Sequence, residues 1–92
     1  MKIEYNNAKN IKNIKERDIS FDLAEGFDLE TSLTWQDLRY DYNGENRFIS
    51  IGYIENRLYS LVFTPRGELL RVISLRKANP REVKRYEKHI ES

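Results

Sequence analysis

Three stretches, Arg47 to Tyr53, Leu58 to Thr64 and Leu69 to Arg76, are dense in β-branched, aromatic and aliphatic residues, and the short polar turns Glu55-Asn56 and Pro65-Arg66-Gly67 separate them. This pattern predicts a three-stranded meander of two hairpins. With two-residue loops, Ile49, Val62 and Arg71 fall abreast on one face, beside Ile51, Ser60 and Ile73, with Arg47 next to Thr64 and Leu69. The opposite face carries Phe48, Tyr59, Leu61, Phe63, Leu70 and Val72. Both faces are therefore apolar, whereas an open antiparallel sheet is polar on one side, so helices or a partner protein must cover them.

Upstream, Ile3-Glu4-Tyr5 alternates like a short strand. Asn6-Asn7 offers an N-cap to a helix over Ala8 to Arg17, with Ala8, Ile11 and Ile14 as its apolar face. Ser20 caps a second, short helix bearing Phe21, Leu23, Ala24 and Phe27, and a strand is expected at Leu33 to Trp35, followed by a loop at Asp41-Tyr42-Asn43-Gly44. Asn79-Pro80-Arg81-Glu82 combines an N-cap, a proline at the first helical position and a reciprocal capping glutamate. The terminal helix that it opens has Val83, Tyr86 and Ile90 as an inward stripe and Arg81, Lys84, Arg85 and Lys88 largely off it. The expected fold is one α/β (α+β) domain over residues 1–92: a short N-terminal strand, two helices, a mostly antiparallel sheet of about four to five strands and a C-terminal helix.

Composition narrows the functional classes. The 92 residues, 11.0 kDa, leave little room for a second hydrophobic core. Sixteen Lys and Arg against fifteen Asp and Glu give a net charge of +1, but the charges are segregated. Residues 16–45 hold nine acidic and two basic side chains, residues 66–88 eight basic and three acidic, so one part of the surface is expected to attract phosphate. The absence of cysteine excludes disulfides, thiolate zinc sites and cysteine nucleophiles. No apolar h-region or long apolar run is present, which predicts a cytoplasmic protein without a membrane segment.

The single histidine, His89, excludes paired-histidine metal sites, and neither phosphate-binding glycine motif occurs. No cofactor or metal is expected. Asp18, Asp22, Glu25 and Asp28 read as a solvated face, and Trp35 as a packing residue. What remains is a set of Arg and Lys around the meander, with Glu45 and Tyr86 as proton-transfer candidates. RNA carries its own nucleophile: attack of a 2′-OH on the adjacent phosphate needs a base, cations for the gathering charge and an acid for the leaving 5′-oxygen. The same residues also suit plain salt-bridged packing.

Arg71-Val72-Ile73-Ser74-Leu75-Arg76-Lys77-Ala78, followed by Arg81-Glu82 and Tyr86, resembles the R-I-I-S-A-R-K-A, E-R and Y pattern of the BrnT toxins. The likeness extends to Glu45, Arg47 and Gly52, to Thr64-Pro65-Arg66, and to Lys12-Asn13 with Ile19-Ser20-Phe21. It implies a RelE-like ribonuclease toxin of a type II toxin-antitoxin pair, neutralised by a BrnA-like antitoxin through which alone it would reach operator DNA. The residues expected to act on RNA are Arg47, Arg66, Arg71 and Arg76 on phosphate, Glu45 as base, and Lys77 or Tyr86 as acid. Where the family pattern has K-H-G, this chain has Glu16-Arg17-Asp18. A second expectation is therefore a weak or inactive toxin that serves as an antitoxin-binding module and co-repressor.

Overall fold

The computed structural model describes residues 1–92. A strand β1 (Ile3–Tyr5), a helix α1 (Asn7–Arg17) and a 3-10 helix over Phe21–Gly26 precede β2 (Leu33–Gln36), β3 (Phe48–Ile54), β4 (Arg57–Arg66), β5 (Leu69–Lys77) and α2 (Pro80–Glu91). The five strands form a mixed sheet in the order β1-β5-β4-β3-β2, with β1 parallel to β5 and the other pairs antiparallel.

One face of the sheet packs Leu61, Phe63, Leu70, Val72, Leu75 and Ile54 against Ile19, Phe21, Ala24 and Phe27. The cover is thus the segment after α1, wound as a 3-10 rather than an α-helix, with Ser20 Oγ accepting from the Asp22 N–H. Gly52 lies beneath it: a Cβ there would come within 2.8 Å of the Phe27 ring. The opposite face packs Ile51 and Leu58 against Tyr86 and Ala78, with Leu33, Trp35 and Val83 at the margin. The reciprocal cap of Asn79 and Glu82 forms as expected, and of the predicted stripe Tyr86 is buried, Val83 half-buried and Ile90 exposed.

The predicted inner face of α1 is not the observed one. Ile11 and Ile14 are exposed, while Asn10 and Asn13 are buried, because what the helix meets is backbone rather than apolar side chains. Asn10 Oδ1 accepts from the Phe21 N–H at 2.7 Å, and Asn13 Nδ2 donates to the carbonyls of Ile19 and Leu75, each at 2.9 Å. Asn13 thereby serves a carbonyl on the flank of β5 past the end of β1. Asn13→Ala leaves both carbonyls without this donor and should lower stability by about 2 kcal/mol, measured as a shift of the urea midpoint at unchanged slope.

The β3–β4 register matches expectation, pairing Ile49 with Val62 and Ile51 with Ser60. The β4–β5 register differs. The loop is Gly67-Glu68, made possible by the positive φ of 59° at Gly67, and it closes on the pair Arg66 and Leu69. Arg71 therefore stands opposite Thr64 instead of Val62. Past the pair Phe63 and Val72 the register slips, because Val62 pairs with Ser74 and leaves Ile73 as the extra residue of a β-bulge. Ile73 accordingly does not stand opposite Ser60, whose partner is Arg76.

Candidate functional site

The shifted register moves Arg71 off the apolar middle of the sheet and toward the end where β3 begins and β4 finishes. There Thr64, opposite Arg71, donates its hydroxyl to the Asn46 carbonyl at 2.7 Å, tying the approach to β3 onto β4. The parallel pairing of β1 puts Glu4 beside Arg71. An Asn43-Gly44 turn with positive φ at both residues, 57° and 78°, sets Glu45 across from Tyr42.

Three guanidinium groups and two carboxylates meet at this end. Arg47 Nε donates to Glu45 Oε1 at 3.1 Å, and Arg66 lies 3.4 Å from Glu45 and 4.0 Å from Glu4. Arg71 lies 3.7 Å from Glu4. Glu45 thus joins Arg47 to Arg66, and Glu4 joins Arg66 to Arg71, so the group has one positive charge in excess. The Arg47 guanidinium holds the Glu45 carboxyl below its ordinary range; partial burial opposes this and Arg66 reinforces it. Glu45 is therefore ionised at neutral pH. A groove of about 400 Å³ opens here, lined by Gly44, Glu45, Asn46, Thr64, Pro65 and Arg66.

The remaining candidates lie elsewhere. Arg76, opposite Ser60, grips Glu82 through two bonds of 2.7 and 2.9 Å. At strand rise it is about 15 Å from Arg71 along β5. Burial pushes the Glu82 carboxyl up, but Arg76 and the Asn79 N–H more than offset this and hold it low. Lys77 follows Arg76 on β5 and is exposed. Tyr86 is buried with its hydroxyl donating to the Thr31 carbonyl at 3.1 Å. Position thus lends no support to Lys77 or Tyr86 as the acid partner of Glu45. Between the two arginine positions, Ile49, Val62 and Ser74 are only half-buried, a strip of two apolar side chains and a hydroxyl that α2 leaves partly open. Trp35 carries the Arg85 guanidinium 4.0 Å from its ring centre.

Sequence reasoning missed Glu4, Asp37 and Tyr42. The link from Glu4 to Arg71 depends on a parallel pairing between residues far apart in the chain, which no local pattern encodes. Tyr42 was within reach, since Asn-Gly at the centre of a turn makes its neighbours face each other. The Arg47 guanidinium rests 4.2 Å from the Tyr42 ring centre. The Tyr42 hydroxyl donates to Asp37 at 2.7 Å, and Arg39 meets the same carboxylate at 2.9 Å through both Nε and Nη2. Arg39 and then Tyr42 hold the Asp37 carboxyl far below the ordinary carboxylate range, burial notwithstanding. A depressed folded-state pKa contributes stability above the unfolded value of about 3.9 and loses it as pH falls through the folded one. Asp37→Asn should therefore lower Tm at pH 7, and the gap to the parent protein should narrow as the pH drops below about 4.

A second cationic groove, of about 300 Å³, lies between α1 and the β5 bulge, lined by Lys9, Lys12, Arg17, Ile73 and Ser74 together with Glu16. Arg17, in the stretch that departs from the K-H-G pattern, donates to Asn13 Oδ1 at 2.9 Å. No three carboxylate or histidine side chains converge as a metal site would require, and no helix is long and apolar enough to cross a membrane.

The architecture is that of a small α+β protein whose mixed sheet leaves an arginine-rimmed face between α2 and the β2–β3 loop. The family model described as "Ribonuclease toxin, BrnT, of type II toxin-antitoxin system" matches residues 5–82, and the chain belongs to that family. The crystal structure of the Brucella abortus ribonuclease toxin BrnT, solved at 1.1 Å resolution, is similar to it at 26% identity and a TM-score of 0.65, over 86% of this chain and 97% of that one. No curated protein sequence matches. Membership in a type II toxin-antitoxin family implies an antitoxin partner.

Proposed function

We propose that this chain, acting as one toxin domain in the cytoplasm with a RelE-like use of its sheet, cleaves RNA without a metal ion. The observation that carries the reading is the ion-paired cluster in which Glu45 joins Arg47 to Arg66 and Glu4 joins Arg66 to Arg71, at the end of the sheet where a groove is lined by Glu45 and Arg66. A phosphate entering the groove replaces carboxylate contacts on the arginines and is held by fork-shaped donors suited to its oxygens. The 2′-OH attacks the adjacent phosphorus, the 2′-O–P bond forms and the P–O5′ bond breaks. Glu45, freed from part of its ion pairing, takes the 2′-OH proton. The leaving 5′-oxygen takes its proton from water, because the cluster supplies no second proton-transfer group. Arg76 and the strip beside it lie too far along β5 to share that phosphate. They fit a longer RNA contact or the BrnA-like antitoxin, through which the toxin would take part in repression at operator DNA.

RNA incubated with the purified protein in excess EDTA should be cut to products ending in 2′,3′-cyclic phosphate. Intact RNA, or cutting only on addition of Mg²⁺, overturns the reading. One observation favours a second reading, a toxin reduced to an antitoxin-binding co-repressor: Glu16-Arg17-Asp18 stands where the family pattern has K-H-G. Expression without any partner separates the two, growth arrest supporting the enzyme and unimpaired growth with soluble protein supporting the module.

A further inference from the structure

The loop between β2 and β3 exposes large side chains in a way that packing does not explain. Leu38 is 80% exposed and Tyr40 67%, yet their neighbours are tightly fixed. Asp37 is buried and accepts from the Arg39 backbone N–H and side chain and from the Tyr42 hydroxyl, and its own N–H donates to the Arg47 carbonyl at 2.8 Å. The exposed Asp41 turns one oxygen back to the Gly44 N–H at 3.3 Å. The loop is thus anchored at both ends of its aromatic segment while its apolar side chains stand in water, where they gain nothing from folding.

The anchoring also fixes where those side chains lie. Tyr40 meets Tyr42 edge to face, with ring centres 5.9 Å apart, and the Tyr42 ring carries the Arg47 guanidinium at 4.2 Å. A chain of contacts therefore runs from the arginine cluster through Tyr42 to the exposed Tyr40 ring. The Arg39 guanidinium lies 5.7 Å from the Tyr40 ring centre and is itself largely neutralised by Asp37, and the ring remains 67% exposed. An aromatic ring beside a cationic groove is the arrangement by which proteins hold unpaired nucleotides, the groove following the backbone and the ring stacking on a base. A duplex keeps its bases stacked on one another and offers the ring nothing.

We infer that Tyr40, set on Tyr42 by the Asp37 clamp, is a stacking platform for a base next to the phosphate held by Arg47, Arg66 and Arg71, and that the substrate is single-stranded RNA. Pre-ordering the loop lowers the entropic cost of stacking. The inference rests on the ribonuclease reading above but concerns binding, so it is tested by binding as well as by cutting.

The test uses the full chain and an oligoribonucleotide made uncleavable by 2′-O-methylation, as a single strand and as a duplex with its complement. Stacking worth about 1–3 kcal/mol per base predicts that Tyr40→Ala weakens single-strand binding roughly tenfold, that Tyr40→Phe restores it because the ring remains, and that duplex binding is unaffected by either change. With cleavable RNA, the loss in Tyr40→Ala should appear in KM more than in kcat. Equal single-strand affinity for Tyr40→Ala and the parent protein overturns the platform and leaves the loop as a surface for a protein partner. So does a loss that Tyr40→Phe shares, or one that is equal for single strand and duplex. If the parent binds the single strand as predicted yet cuts no RNA, the cleavage reading fails and the platform stands.

Discussion

Arg71→Ala should reduce RNA cleavage by about 100-fold or more, since deleting one donor aimed at charge that develops in the transition state costs about that much. Its fold should be almost untouched. The Arg71 side chain retains 24% of its exposure and its ion pair with Glu4 spans 3.7 Å, and such partly exposed pairs contribute about 0–1 kcal/mol. Rates on a short oligoribonucleotide and the thermal unfolding curve, taken on the same preparation, give the two values. A large loss of Tm with proportionate loss of activity would make Arg71 a structural residue. Arg76→Ala is the useful contrast. Its bidentate bond to Glu82 joins β5 to the cap of α2, so its loss should cost stability more than cleavage.

Tyr86→Ala should destabilise the protein by about 3–5 kcal/mol, the range for removing a buried aromatic side chain. Tyr86 is 4% exposed, forms the centre of the contact between α2 and the sheet, meets Tyr53 edge to face at 5.6 Å and bonds the Thr31 carbonyl. Tyr86→Phe keeps the ring and gives up one hydrogen bond, so it should cost about 1 kcal/mol and leave the cleavage rate within about twofold. Urea unfolding of both variants, with cleavage measured on Tyr86→Phe, checks this. A folded Tyr86→Phe with cleavage reduced 100-fold would return the hydroxyl to the role of proton donor.

The strands and the terminal helix were legible because their signals are local: runs of β-branched residues between turns, and an Asn-Pro-x-Glu cap. The β4–β5 register was not, because the choice between Pro65-Arg66-Gly67 and Gly67-Glu68 as the loop rests on one positive φ, and a bulge at Ile73 leaves no mark in alternation. That two-residue shift matters to the site, since it carries Arg71 from the neighbourhood of Val62 to that of Glu4 and Arg66. The face of α1 was misread for a different reason. Apolar spacing assumes that a helix is held by its apolar side chains, and here Asn10 and Asn13 hold it through backbone groups. Glu45 meets Arg47 and Arg66 where the start of β3 adjoins the end of β4, whereas the place of Glu4 required the parallel pairing of β1.

The claim beneath all of this is that Arg47, Arg66 and Arg71 act on one phosphate. Its most direct test follows the arginine Nε–Hε resonances by ¹⁵N NMR while a single-stranded oligoribonucleotide, 2′-O-methylated against cleavage, is added. The account predicts that the signals of Arg47, Arg66 and Arg71 move together and saturate at one RNA concentration, with Arg17 nearly still. Movement confined to Arg17, in the groove between α1 and β5, or to Arg76, with the three clustered arginines unchanged, would contradict it.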